Sequence, residues 1–257
     1  MNERWPVANG FLKFPRTPYL FPVAGMELRG DLVCADSEIR NFLTNEITVE
    51  EKLDGANVGI SVTSDGVIRV QNRGSYIEQP SPLQFKPLWR WIAERKLELA
   101  RVLGPGLVLF GEWCLAVHSV RYDRLPDWFI GFDVYDFAAQ LFWSSDRRNV
   151  LLKSLEIAVV PEIGMRRRYS AEQLRDLLES TTSAFGDDLI EGLYLRSERN
   201  GWLDGRAKIV RPAFVQGIRQ HWSDRVLEKN TLSRHHRPPG SSEVATVCEV
   251  PRGTVSR

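Results

Sequence analysis

The stretch Glu50-Glu51-Lys52-Leu53-Asp54-Gly55-Ala56-Asn57 places a lysine after a short apolar run and before an alternating one of Val58, Ile60 and Val62. A lysine so placed can attack phosphorus, but only as the neutral amine. An ordinary lysine pKa of about 10.4 keeps it protonated near neutrality. The acidic neighbours push further in that direction, so they make chemical sense only beside a cation that cancels their charge, such as a divalent metal. Gly55 suits a tight turn that lets phosphates approach the backbone. Read alone, K-x-D-G is also the pattern of a surface charge cluster.

Further stretches carry matching chemistry. Glu112 follows an apolar run in Phe110-Gly111-Glu112-Trp113. A carboxylate at a strand end can ligate Mg²⁺ or accept from a ribose hydroxyl, or be an exposed strand terminus. The aromatic run 129–136, which contains Phe132, can stack a base or fill a β-core. Glu191 sits among apolar neighbours in Leu189-Ile190-Glu191-Gly192-Leu193. An unpaired carboxylate is costly there, so a metal or a cation partner is expected. Arg206 and Lys208 flank Ala207 and share one strand face. Two such cations can hold a polyphosphate or decorate a solvated edge. His118, the triplet Arg166-Arg167-Arg168 and the run Arg234-His235-His236-Arg237 are weaker candidates, the basic runs for contact with a phosphate backbone.

These residues need elements that bring them together. Residues 1–30, rich in Pro, Gly and aromatics, read as an irregular lead-in, and 36–42 as one or two helical turns. From 47 to 72 the pattern is strand, turn, strand, turn, strand, with Asp65-Gly66 as the hairpin signal. Apolar residues at helical spacing predict a helix over 82–103, stopped by Gly104-Pro105-Gly106. Strands are expected at 107–111, 128–137, 141–143, 189–196 and 206–210, and helices at 145–157 and 171–178. The second of those helices opens on the capping-box spacing Ser170-Ala171-Glu172-Gln173. After Gly217 the periodicity fades, and 223–257 reads as a poorly ordered tail behind a domain of residues 1–222. Antiparallel hairpins with helices beside them make an α+β fold.

Composition sets limits. The chain has 257 residues and a net charge of +1, so nucleic-acid binding would rest on local patches and not on overall charge. Three scattered cysteines suit neither a disulfide framework nor a zinc site and point to a reducing, cytoplasmic setting. No apolar run approaches the roughly 20 residues of a membrane span. The N-terminus lacks the apolar core of a signal peptide.

In order, Glu51-Lys52-Leu53-Asp54-Gly55, Asn72-Arg73-Gly74, Phe110-Gly111-Glu112, the run 129–133, Glu191-Gly192-Leu193 and Arg206-Ala207-Lys208 resemble the motif series of covalent nucleotidyltransferases, the superfamily of polynucleotide ligases and messenger-RNA capping enzymes. The E-K-x-D-G-A-N form and the run from Phe110 through His118, Tyr122 and Pro126 to Asp133 are similar to ATP-dependent RNA ligases of the RNA ligase 2-like branch. The resemblance covers about residues 14 to 222. It implies an ATP-grasp-like ligase adenylylation domain with ATP between antiparallel sheets, and Mg²⁺ or Mn²⁺ as cofactor.

By that resemblance Lys52 takes AMP, and Lys208 stabilises charge on the α-phosphate. Asn57 faces the phosphate or the incoming strand end, and Arg73 contacts the ribose or a 5′-phosphate. Glu112 binds the ribose, Phe132 stacks on adenine, Glu51 and Arg206 complete the nucleotide site, and Glu191 with Glu112 holds the metal. The expected reaction joins RNA 5′-phosphate and 3′-hydroxyl ends, with an end-healing kinase or phosphatase as a partner and no membrane. Two departures stand out. Arg206 occupies a position that is usually lysine, and arginine's forked donors are not equivalent at a tight phosphate site. Few residues follow Lys208, so the domain is expected to act alone or to borrow a partner's surface. A DNA ligase, a guanylyltransferase, or a nucleotide- or RNA-binding module without turnover are the competing readings.

Overall fold

Alternation along the strands sorts the side chains of this chain into two apolar outer faces and one polar inner space. The computed structural model describes residues 7–8, 11–23, 30–217 and 227–233. In order these form β1 (Val7–Ala8), β2 (Phe11–Leu12), α1 (Asp36–Leu43), β3 (Ile47–Lys52), β4 (Ala56–Val62), β5 (Ile68–Gln71), α2 (Lys86–Leu103), β6 (Leu107–Trp113), β7 (Phe129–Asp136), β8 (Leu141–Phe142), α3 (Ser145–Ser154), β9 (Ala158–Val159), β10 (Glu162–Arg167), α4 (Ala171–Ser180), β11 (Gly192–Arg199), β12 (Trp202–Val210) and α5 (Pro212–Gly217). The smaller sheet has the order β10-β3-β11-β12, the larger β5-β4-β6-β7-β8. All of these pairings are antiparallel, and β9 adds to β7 in parallel. The fold is α+β, antiparallel sheets flanked by helices.

Each sheet buries its outer face under helices. Ile47 and Val49 of β3, Leu193 and Leu195 of β11 and Ile209 of β12 pack with Leu174 and Leu178 of α4 and with Ile39 and Phe42 of α1. Val58 and Ile60 of β4, Leu109 and Trp113 of β6 and Val134 of β7 pack with Leu88, Trp91 and Leu99 of α2 and Leu152 of α3. Period two then turns Glu50, Lys52, Tyr194, Arg196, Arg206 and Lys208 inward from the smaller sheet, and Asn57, Phe110 and Glu112 from the larger. A bulge displaces the β6–β7 register between Phe110↔Asp133 and Gly111↔Gly131. Phe132 is the extra residue, which lets it and its neighbour Asp133 both serve the inner space.

That space is floored by buried ions. Arg148 of α3 donates to Glu50 Oε1 of the smaller sheet and to the Phe132 carbonyl of the larger, both at 2.6 Å. Arg196 of β11 donates to Asp133 Oδ1 at 2.6 Å, to the Trp143 carbonyl at 2.9 Å and to Glu198 at 2.7 Å. Arg206 Nη1 donates to Asp133 Oδ2 at 3.2 Å. Arg196 and Asp133 side chains are fully buried.

Several expected boundaries move. A 3-10 turn at Leu83–Phe85 precedes α2, so that helix starts at Lys86 and not at 82. The strand expected at 107–111 runs on to Trp113, because Asn57 and Glu112 pair across β4 and β6. The strand expected from 189 begins at Gly192, which leaves Glu191 just ahead of it. The edge strand β10, polar and broken by register shifts, has little alternation to betray it in the sequence. Residues 227–233 fall within the tail expected from 223. Those residues exchange main-chain hydrogen bonds with residues 115–125, which needs no side-chain periodicity. The remainder of the tail lies outside the described residues. Among the described residues, no helix is long and apolar enough to cross a membrane.

Arg148→Met removes a charge that Glu50 cannot replace by water. Breaking a buried pair from one side costs about 3–5 kcal/mol, and urea unfolding of Arg148→Met should show a loss of that order. Adding Glu50→Gln should recover part of it, because the two sites are in contact and do not add.

Candidate active site

Lys52 is the last residue of β3 in the smaller sheet, and Ala56 is the first of β4 in the larger. The nucleophile candidate therefore stands where the chain crosses between sheets, at the edge of a cleft of about 240 Å³. Gly55 makes that crossing possible. A Cβ there would lie 2.8 Å from the Trp113 carbonyl oxygen and 3.0 Å from Glu112 Cγ, so the glycine serves close approach to β6.

Lys52 Nζ donates to both oxygens of Glu191, at 2.7 and 2.6 Å. Burial alone would drive the proton off Lys52, but Glu191, Glu112 and Asp54 outweigh it and hold the amine above its ordinary pKa. Lys52 is thus held as an ammonium. Glu112 is pushed up to about 7, first by burial and then by Glu191 and Asp54, against the pull of Lys52 and Arg73. Lys208 is pushed down to about 8 by burial and by the charges of Lys52 and Arg73, with Asp31 and Glu191 opposing. Its ammonium lies 4.1 Å from the centre of the Tyr19 ring. The site crowds like charges that a polyphosphate and a cation would relieve.

Other groups shape the walls. Asn72 Oδ1 accepts from the backbone N–H of Gly74 and Ser75, a turn that presents Arg73 to the cleft. Asn57 lines the cleft, and its buried Oδ1 has no hydrogen-bond partner among the described residues. Phe132, Leu53 and Val160 give the cleft an apolar side. Asp54 Oδ2 accepts from the backbone N–H of Ser119 (2.5 Å) and Val120 (2.9 Å).

A family model described as RNA ligase matches residues 45–210, more than half of the chain. The chain belongs to the RNA ligase family. No curated protein matches it by sequence. Among solved structures it is similar to a Naegleria gruberi RNA ligase with pyrophosphate, at TM-score 0.53 and 21% identity over 80% of this chain and 63% of that one. It is also similar to mutants of that ligase with AMP and Mn (TM-score 0.55, 20% identity, 79% and 62% covered) and with ATP and Mn (0.52, 20%, 70% and 54%). At that identity the likeness is one of fold. The chain spans 54–63% of the length of those three structures.

In this family member, Lys52, Asn57, Arg73, Glu112, Phe132 and Lys208 all line one cleft, and Glu191 reaches it through Lys52. Two expected site residues are placed differently. Glu51 is among the lining residues, but its carboxylate accepts from Ser183 Oγ (2.6 Å) and the Ala184 N–H (3.1 Å), on the strand face opposite Lys52. Arg206 shares a face with Lys208 but lies deeper, on Asp133 and 4.0 Å from the Phe142 ring centre. It is not among the lining residues. Arg166 is spent on Thr48, Ser145, Asp146 and Glu198, and the run 234–237 lies outside the described residues. His118 is also not among the lining residues, and burial pushes its imidazole down.

Sequence reasoning missed Phe14, Arg16, Thr17 and Asp31, all on the cleft wall. The signal was there only in part: Pro18-Tyr19-Leu20 is an extended run, and Tyr19 bridges to Lys208 at the edge of β12.

Among the described residues, no group of three or more acidic, His or Cys side chains forms a metal cage. Mg²⁺ commonly takes one or two carboxylates and completes its shell with substrate phosphates and water. Glu191 and Glu112, the second of which the charge of Glu191 helps to push up, fit that donor set.

A carboxyl whose folded pKa is raised from 4.5 to about 7 favours the fold at low pH, and that contribution is lost as pH rises through 7. In metal-free buffer at pH 8, Glu112→Gln should therefore be more stable than wild type, by about 1–3 kcal/mol. The gap should close toward pH 5, and paired denaturation curves at the two pH values check it.

Proposed function

We propose that this chain is an ATP-dependent RNA ligase that seals 5′-phosphate and 3′-hydroxyl ends in RNA repair, acting in the cytoplasm on ends that a kinase or phosphatase can prepare. The observation that carries this reading is the single cleft in which Lys52, paired to Glu191, faces Lys208, Arg73, Glu112 and Phe132. The solved Naegleria ligase structures with ATP or AMP and Mn support ATP and a divalent cation as what this cleft takes. The free thiols Cys34 and Cys114 suit a reducing compartment. The catalytic unit is residues 1–222 together with the docked segment 227–233.

The first step forms a bond from Lys52 Nζ to the α-phosphorus of ATP and breaks the bond to the pyrophosphate oxygen. Nζ sheds a proton first, and its bidentate pair with Glu191 opposes that loss. Glu191 and Glu112 would hold a Mg²⁺ or Mn²⁺ ion, whose positive charge would offset that of the carboxylates and the phosphate and so ease the release of the amine from Glu191. Lys208 and Arg73 meet the negative charge that grows on the phosphate. Phe132 forms a shelf for the adenine, and the buried Asn57 Oδ1 awaits a donor from the ligand or the strand end. The AMP then passes from Lys52 to an RNA 5′-phosphate. A 3′-hydroxyl oxygen attacks that phosphate, the phosphodiester forms, and AMP leaves.

Intact-mass measurement after incubation with ATP and Mg²⁺, with pyrophosphate removed, tests the reading. Wild type should gain one AMP and Lys52→Ala none. GTP should give little adduct, and a nicked RNA should be sealed in preference to nicked DNA. Folded wild type that gains no AMP would sink the enzymatic reading. Glu191→Ala should keep its fold and lose about a hundredfold in adenylylation rate, the scale of one charge-stabilising contact. Full activity there would refute the metal assignment.

A further inference from the structure

Asn230 is 178 positions beyond Lys52 in the numbering and lies outside the cleft, yet it is 4% exposed. Its whole side chain is committed to one loop, the connection from β6 to β7. Oδ1 accepts from the Tyr122 N–H at 2.8 Å. Nδ2 donates to the Cys114 carbonyl at 2.8 Å and the Ala116 carbonyl at 3.2 Å. The side chain therefore ties the two limbs of the 114–122 excursion to each other. Around it the backbone does the same: Val117 N–H donates to the Glu228 carbonyl, Asn230 N–H to that of Leu115, Thr231 N–H to that of Tyr122 and Leu125 N–H to that of Thr231. Leu232 joins the apolar cluster that contains Leu53, Tyr122 and Leu125.

The tied loop is the one that holds the lysine's turn. Between its limbs, Ser119 and Val120 donate their backbone N–H groups to Asp54 Oδ2. The Tyr122 hydroxyl accepts the Asp54 N–H at 2.8 Å. Tyr122 is thus gripped through its amide by Asn230 and grips, through its hydroxyl, the residue two positions after Lys52. An unbroken run of short hydrogen bonds leads from the 227–233 segment to the Lys52 turn.

We infer that the segment 227–233 is a clamp on the nucleophile's turn, and that Asn230 is a positioning residue for the adenylylation of Lys52. This rests on the proposed reading of Lys52 as the residue that takes AMP. The clamp touches neither ATP nor RNA. It fixes the loop that fixes Asp54, and so fixes where Lys52 Nζ stands when the α-phosphate arrives. Small misplacement of a nucleophile is expensive, about a hundredfold in rate for an ångström.

The test pairs adenylylation kinetics, read by AMP adduct mass against time, with hydrogen exchange resolved to the 114–122 loop. Asn230→Ala should slow adduct formation at saturating ATP by about ten- to a hundredfold, while the ATP concentration for half-maximal rate stays within about threefold. Tyr122→Phe removes the acceptor for the Asp54 N–H and should give a loss of the same kind. The double variant should be no slower than the slower single one, because both cut one connection. The amides of Ser119 and Val120 should exchange faster in Asn230→Ala. Asn230→Asp, which keeps the acceptor for Tyr122 and loses both donors, is read in the same way if Asn230→Ala does not fold. Wild-type rates in the Asn230 variant, or losses that multiply in the double variant, would overturn the positioning role. Unchanged exchange at Ser119 and Val120 would overturn the clamp itself. Absence of any adduct on wild type is a different failure: it removes the adenylylation reading and the catalytic role with it, while the exchange measurement still decides whether the clamp exists.

Discussion

The inner faces of the two sheets meet through ions. Arg148 bridges the Glu50 carboxylate of one sheet and the Phe132 carbonyl of the other. Arg196 and Arg206 converge on the two oxygens of Asp133. Taking such charges out of water is costly, and a packed hydrocarbon layer would hold two sheets together at least as well. What hydrocarbon would not do is end in a polar cleft. The ionic floor lets an apolar-backed strand such as β3 carry Glu50 at its buried end and Lys52 at its cleft end on the same face. It also pins the backbone of Phe132, whose ring forms the apolar wall above.

Above that floor the cleft crowds ionisable groups whose charges oppose one another. Lys52 is charged because Glu191 holds it and because Glu112 and Asp54 add to the field. Glu112 is uncomfortable for the complementary reason, with its pKa raised to about 7 by burial among other carboxylates. Lys208 is lowered to about 8 by burial and by neighbouring positive charge. Each group is displaced toward a state that a polyanion and a cation would correct together. In the proposed reaction, binding of a nucleotide with its cation would separate the Lys52–Glu191 pair that keeps the amine protonated. This answers the puzzle posed by the sequence, where acidic neighbours seemed the wrong company for a nucleophilic lysine.

How much of this could be read from the residues follows from where the information lies. Lys52, Glu112, Phe132, Glu191 and Lys208 sit in or beside strands, where alternation and strand ends declare a side chain's face. Their convergence was legible because six short motifs kept one order. Depth along a face is not declared. Arg206 and Lys208 share a face, yet one reaches Asp133 and the other the cleft. Alternation also put Glu51 on the face away from Lys52, but its burial against Ser183 depends on a residue 132 positions on. Arg16, Asp31 and Asn230 were invisible because their segments are held by main-chain bonds and carry no period. Polar residues in aperiodic stretches look like loops until their partners are known.

The placement of Lys52 brings these points together. It stands at a three-residue crossing between sheets, Leu53-Asp54-Gly55, too short to bury a core of its own. Every restraint on that crossing comes from elsewhere in the chain. Glu191 holds the amine, Ser119, Val120 and Tyr122 hold Asp54, and Trp113 leaves room only for a glycine at position 55. A turn restrained from outside is precise only while its neighbours are, and the loop that holds Asp54 is itself an excursion without regular structure of its own. Something must stiffen that loop, and the residues that do so come from beyond β12, after both sheets are complete. The cleft is therefore assembled in two layers. The strands bring the reacting groups to one place, and a late segment of the chain sets the tolerance with which the lysine is held there.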